Sequence, residues 1–143
     1  MGFEIEIRAM EEHDLDQALD LWKVSFKAGF SSEFDTKDRL SYYLKRNPSL
    51  STVACLKNGK LIAALLCGHD GRRGSIYHTA VSNEYRKKGI GRKMEERSLL
   101  ELKKIGITTG FLFINTNNPG SKNFWQSLGW KVIKDVKYLY KQF

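Results

Sequence analysis

A mixed α/β fold is what this sequence predicts, and three observations carry the prediction. Residues near the N-terminus alternate with a period of two, two longer stretches place apolar residues on one helical face, and β-rich segments between them are punctuated by turn signals. The resulting order is β-α-α-β-β-β-α-β-α-β, with a meander in front and a βαβ-like crossover behind.

The opening FEIEIRAM sets Phe3, Ile5 and Ile7 against Glu4, Glu6 and Arg8, as a strand with one wet face does. Asp14 and Gln17 have the spacing of a capping box. Leu15, Ala18, Leu19, Trp22 and Phe26 then share one helical face, so a helix is expected to about Gly29. Leu40, Tyr43 and Leu44 mark a second, short helix that Asn47-Pro48 must end, because proline cannot continue it. STVACL and LIAALLCG flank Lys57-Asn58-Gly59-Lys60 and predict a hairpin closed by a two-residue type I′ turn. SIYHTAV adds a third strand. After Val81 the loop NEYRKKGIG opens a helix striped by Ile90, Met94, Ser98, Leu102 and Ile105. GFLFIN is a further strand, Asn118-Pro119 starts a short helix that Gly129 stops, and WKVIKDVKYLYKQF supplies one or two final β segments.

At 143 residues, with 41% hydrophobic and 28% charged residues and no linker or repeat, the chain is expected to form a single domain over residues 1–143. Its longest apolar run, Leu61 to Cys67, falls short of the roughly 20 residues that span a bilayer. The N-terminus carries acids where a signal peptide carries bases, so a cytoplasmic protein away from membranes is expected. Cys55 and Cys67 sit in apolar strands and predict reduced core thiols. His13, His69 and His78 lack metal-ligand spacing, and no metal is expected. The first 40 residues hold 5 Lys and Arg against 10 Asp and Glu, the remainder 19 against 6. Such a split suits an anionic ligand for the C-terminal part and a cationic one for the N-terminal part, although solvated helix faces produce the same pattern.

The strongest local signal is Arg86-Lys87-Lys88-Gly89-Ile90-Gly91-Arg92, placed between a strand and an amphipathic helix. Glycines there let the backbone turn its N–H groups toward a ligand, and the helix N-terminus adds its positive dipole end, which suits a phosphate or pyrophosphate. The pattern matches neither of the two common nucleotide motifs.

The stretch HTAVSNEYRKKGIGR, His78 to Arg92, resembles the acyl-CoA-binding motif of the GNAT superfamily of acetyltransferases: a strand ending in Val, then Arg or Gln-x-x-Gly-x-Gly or Ala. A second match lies at Asn118 followed by Phe124-Trp125-Gln126-Ser127-Leu128-Gly129-Trp130, similar to that family's Asn, spacer, Leu-Tyr-x-x-x-Gly-Phe. The resemblance covers nearly the whole chain and is closest to the small stand-alone bacterial members. It implies a twisted mixed sheet with helices on both faces. It also implies transfer of an acetyl group from acetyl-CoA to a primary amine, with no metal. By the same resemblance, the strand end at Thr79 and Val81 pairs with the pantetheine arm. The amides from Arg86 through Lys87, Lys88, Gly89, Ile90 and Gly91, with Arg92 beside them, hold the pyrophosphate, while Asn118 and Trp125 complete the cofactor site. A neutral amine then attacks the thioester, an amide N–H near Thr79 stabilises the oxyanion and the thiolate leaves.

Family members often use a Glu or His on the strand before the loop as base. The titratable candidate in this chain is His78, since no acid lies between Gly71 and Asn83; simple packing of His78 in the sheet is the other reading. The tyrosine that usually acts as general acid falls at Trp125, whose indole N–H can donate a hydrogen bond but not surrender its proton. The acceptor is implied to be an amine on a small molecule or a protein. Phe30 and Phe34 would hold its aliphatic stem while Glu33 and Asp35 attract its charge, unless this acidic loop is merely solvated. Two alternatives remain. One is a GNAT-fold module that holds acyl-CoA without transferring it, and behind it stands a basic nucleic-acid-binding domain. A homodimer is compatible with all of these readings, and none of them names the acceptor.

Overall fold

The computed structural model describes residues 4–26 and 30–143, and Phe3 and Gly29 lie outside them. The chain divides into two compact units, one ending at Leu112 and one running from Phe113 to Phe143.

The first unit is built on a five-stranded sheet in the order β1-β2-β3-β4-β5: β1 (Ile5–Ala9), β2 (Thr52–Leu56), β3 (Leu61–His69), β4 (Gly74–Val81) and β5 (Gly110–Leu112). All neighbours are antiparallel except β4 and β5, which are parallel and joined through the crossover helix α3 (Ile90–Lys104). Two helices, α1 (Leu15–Ser25) and α2 (Lys37–Arg46), cover one face. There Leu15, Ala18, Trp22 and Leu40 pack with Val53, Cys55, Ala64 and Leu66. Each large side chain so buried contributes about 1.5–3 kcal/mol relative to exposure.

On the opposite face lies α3. Its stripe position Ser98 is buried because the hydroxyl is satisfied: it donates to Leu50 O at 2.6 Å and lies 2.7 Å from Thr52 Oγ1, which also accepts from Arg97 at 3.0 Å. A buried hydroxyl without such partners would cost stability. Ile105, expected on the same stripe, is 54% exposed because the helix ends at Lys104, and Ile107 is buried beyond the turn.

Four local expectations are replaced. Helix α1 ends at Ser25 with Phe26 as its cap, short of Gly29. The Asp14 carboxylate caps nothing in α1; it accepts from Glu11 N at 2.8 Å and from Arg8, while Gln17 reaches across to the hairpin, accepting from Leu61 N at 3.0 Å and donating to Gly59 O at 3.3 Å. The hairpin turn is not type I′. Only Gly59 has positive φ, Gly59 N donates to Leu56 O and Leu56 N to Lys60 O, and so a three-residue loop ends in a glycine bulge. The Asn58 side chain accepts from Lys60 N at 3.0 Å, which holds the asparagine in the ordinary turn conformation and leaves glycine the left-handed position. Finally, β5 is only three residues long, since its ladder with β4 stops at Ile76–Leu112.

In the second unit, helix α4 (Pro119–Ser127) is capped at both ends. Asn118 Oδ1 accepts from Ser121 N at 3.1 Å, and Pro119 takes the first helical position. At the other end Gly129 N bonds to Gln126 O and Trp130 N to Trp125 O, with Gly129 at φ +98°. That is a Schellman cap, and its usual apolar contact is the edge-on packing of Trp125 and Trp130, 5.8 Å between ring centroids. Residues 131–143 form no strand: Ile133, Val136, Tyr138 and Leu139 are all exposed, and no ladder engages their backbone.

Candidate active site

Strand β4 is broken by a bulge. Its register with β3 runs Ala64↔Ala80 but Leu66↔Tyr77, so one extra residue is accommodated there, and His78 takes φ +51°. Beyond Ile76 no strand pairs with the other edge of β4 among the described residues. Ser82 N donates to Ile62 O, so by the alternation of an antiparallel ladder the backbone groups of Val81, outside the bulge, point toward that unpaired edge. The Thr79 hydroxyl oxygen is buried with no hydrogen-bond partner among the described residues. Arg86 Nε closes the strand end by donating to Val81 O at 3.0 Å.

The chain then makes a single 3-10 turn at Asn83–Tyr85 and enters α3 through two left-handed residues, Lys87 at φ +61° and Gly89 at φ +79°. Gly89 is the N-cap of α3 and contributes no side chain to it, and no acid stands in the first turn. The leading N–H groups of the helix, Gly89 to Arg92, therefore lack the intrahelical acceptors that later residues have. Gly91 and Ile90 are buried, and Lys87 and Lys88 are exposed. Arg92 is exposed and pairs with Glu96 at 3.0 Å.

His78 is held from four sides. Its Nε2 lies 2.9 Å from Asp35 Oδ1; the Phe26 and Phe30 rings stack against it at 5.5 and 6.1 Å between centroids, and Trp22 is tilted at 5.4 Å. Trp22 Nε1 also donates to the His78 carbonyl. Asp35 is only 5% exposed, whereas Glu33 and Phe34, from the same loop, face solvent. Phe30 packs against the core edge. Asn118 and Trp125 belong to the second unit, where the first caps α4 and the second is buried against Phe124 and Trp130. The aromatic surround of His78 escaped the sequence reading because Trp22 and Phe26 fit the core stripe of a helix, and nothing local marks a contact with a residue more than fifty positions away.

An open strand edge leading directly into an uncapped, glycine-entered helix is what the family resemblance requires, and the sequence pattern of the Acetyltransferase (GNAT) family matches residues 15–130. The chain belongs to the GNAT family of acetyltransferases. An acetyltransferase of Photorhabdus laumondii is 31% identical over 119 residues, 82% of this chain and 80% of that protein. One of Pectobacterium atrosepticum is 24% identical over 131 residues, 90% and 89%. Among solved structures, the PaiA N-acetyltransferase of Thermoplasma acidophilum in complex with coenzyme A has the same fold, with a TM-score of 0.78 at 22% identity and 93% of each chain covered. As in that fold, this GNAT chain has a mixed sheet with helices on both faces. No helix of the described residues is long and apolar enough to cross a membrane.

Proposed function

We propose that this GNAT protein transfers an acetyl group from acetyl-CoA to a primary amine, with His78 receiving the amine's proton. The observation that carries the reading is the meeting, within one short stretch of sequence, of the open β4 edge, the buried unpartnered Thr79 hydroxyl and the uncapped start of α3. These residues fit the group. The strand end at Thr79 and Val81 would pair with a pantetheine arm by strand addition, the Val81 carbonyl being exchanged from Arg86 or left to it, and the amides of Lys87 to Gly91 with the cations of Arg86, Lys87, Lys88 and Arg92 suit a pyrophosphate. A CoA complex of a protein with this fold supports the assignment.

Acetyl-CoA supplies an acyl group activated as a thioester. The residues of this chain do the rest. His78 takes the proton that the amine nitrogen loses as the new C–N bond forms and the C–S bond breaks, and that proton is returned to the departing sulfur. An amide N–H near Thr79 faces the developing oxyanion. Glu33 draws in the cationic acceptor, with Phe30 and Phe34 against its stem. Asn118 and Trp125 are assigned to the acyl donor through the family resemblance.

Calorimetry with acetyl-CoA tests the donor site, and an acetyl-CoA consumption screen against an amine library tests the transfer. Binding is expected for the parent and lost in Gly91→Val, whose side chain would obstruct backbone approach. No heat from the parent overturns the donor assignment. Glu33→Gln is expected to raise KM at low salt, with an effect that shrinks as salt screens the charge.

Trp125 motivates a second reading. An indole cannot act as the general acid, so tight acetyl-CoA binding with no turnover on any amine would identify an acyl-CoA-holding module. Under the first reading turnover is slow but present, because a thiolate of ordinary pKa near 8.5 leaves without prior protonation. Trp125→Tyr is then expected to raise the single-turnover rate.

A further inference from the structure

We infer that Asp35 is the positioning residue of His78, fixing the imidazole in the tautomer whose Nδ1 lone pair accepts the proton; the inference rests on the transfer reading above. An ionised carboxylate only accepts hydrogen bonds, so with Asp35 Oδ1 at 2.9 Å the neutral ring must carry its hydrogen on Nε2. Nδ1 is then the basic nitrogen, and among the described residues nothing hydrogen-bonds it.

The loop is constructed to aim that oxygen. Asp35 Oδ2 accepts from Ser31 N at 2.8 Å while Asp35 N donates to Ser31 O at 3.1 Å, a reciprocal clasp across five residues. Ser31 Oγ accepts from Glu33 N and Phe34 N, and Thr36, the next residue, caps α2 through Arg39 N. Both carboxylate oxygens of Asp35 are thus engaged, and the side chain is 4% exposed. It is unsuited to attract a diffusing amine. On the other side, Phe26, Phe30 and Trp22 pack against the imidazole and restrict its rotation without supplying a hydrogen-bond acceptor.

Asp35→Asn separates positioning from support. The introduced carboxamide has one acceptor oxygen, which the Ser31 N–H claims, so its NH₂ turns toward Nε2 and forces the hydrogen onto Nδ1. The reacting lone pair then faces the carboxamide instead of the acceptor amine.

The test is ¹⁵N NMR of histidine-labelled protein beside steady-state kinetics on the best amine from the screen. The parent should show His78 as the Nε2–H tautomer. Asp35→Asn should show Nδ1–H, with kcat lower by about 100-fold or more and KM within about threefold. Asp35→Glu, which keeps a carboxylate acceptor, should retain the Nε2–H tautomer and recover part of kcat. An Nδ1–H parent, or an Asp35→Asn variant with switched tautomer and parental kcat, overturns the inference alone. A parent that binds acetyl-CoA without turnover on any amine overturns the transfer reading and this inference with it. An Asp35→Asn chain that fails to fold leaves the decision to the parent's tautomer and to Asp35→Glu.

Discussion

Arg8 grips Asp14 with two nitrogens: Nη1 lies 2.7 Å from Oδ2 and Nη2 2.9 Å from Oδ1, tying the end of β1 to the turn that starts α1. Burial disfavours the charge on Asp14, but the Arg8 hydrogen bonds together with the Glu11 N–H outweigh it and hold the carboxyl below its ordinary value. A carboxyl lowered on folding contributes stability above its unfolded pKa, near 3.9, and that contribution is lost as pH falls through this value toward the folded one. Asp14→Asn should therefore cost about 2–3 kcal/mol at pH 7 and less at pH 3, as urea midpoints at the two pH values would show. An equal penalty at both would mean that the pair's charge is irrelevant.

Gln17 fastens α1 to the β2–β3 turn through Leu61 N and Gly59 O. Truncation in Gln17→Ala leaves the N–H of the buried Leu61 without its acceptor, and a loss of about 1 kcal/mol is expected. Amide hydrogen exchange at Leu61 should accelerate in the variant while that of Ile62 and Ala63 changes little.

At Gly68 the strand passes so close to α2 that an added Cβ would stand 2.5 Å from Tyr43 Oη and 2.9 Å from Asn47 Cγ. Gly68→Ala is expected to cost about 3 kcal/mol through this overpacking. Tyr43→Phe removes the nearer atom and should return part of that loss in the double variant. Additive penalties in the double-mutant cycle would count against a direct clash.

Burial pushes the Cys67 thiol up to about 12, and it raises that of Cys55 as well. At pH 8 the reactive thiolate of Cys67 is thus on the order of one part in ten thousand. The folded protein should leave Cys67 unmodified by a disulfide reagent over the time in which the urea-unfolded chain reacts at both cysteines. Rapid modification of Cys67 in the native state would place that thiol nearer to solvent than its surroundings allow.

Most of the architecture was legible because it depends on local periodicity and punctuation. The stripe of α1, the break at Asn47-Pro48, the Asn118-Pro119 start and Gly129 stop of α4 are all settled by residues within a few positions of each other, and so is the glycine-marked loop between β4 and α3. Where several local arrangements satisfied the same residues, the sequence could not choose. Asn58-Gly59 fits both a type I′ turn and a type I turn with a glycine bulge, and Asp14 with Gln17 fits a capping box that neither side chain makes. Their actual partners, Arg8 for Asp14 and the β3 start for Gln17, come from tertiary packing. The same holds at the candidate active site. By itself the sequence determined the strand-to-helix loop of a GNAT acetyltransferase and singled out His78 and Asp35 separately, one as a candidate base and one as an acid to attract the acceptor amine. Only the tertiary structure put Asp35 at the Nε2 edge of the imidazole and packed Trp22, Phe26 and Phe30 against the ring, since contacts across 43 to 56 residues follow from where α1, α2 and the bulged strand pack, and short-range spacing carries no record of that.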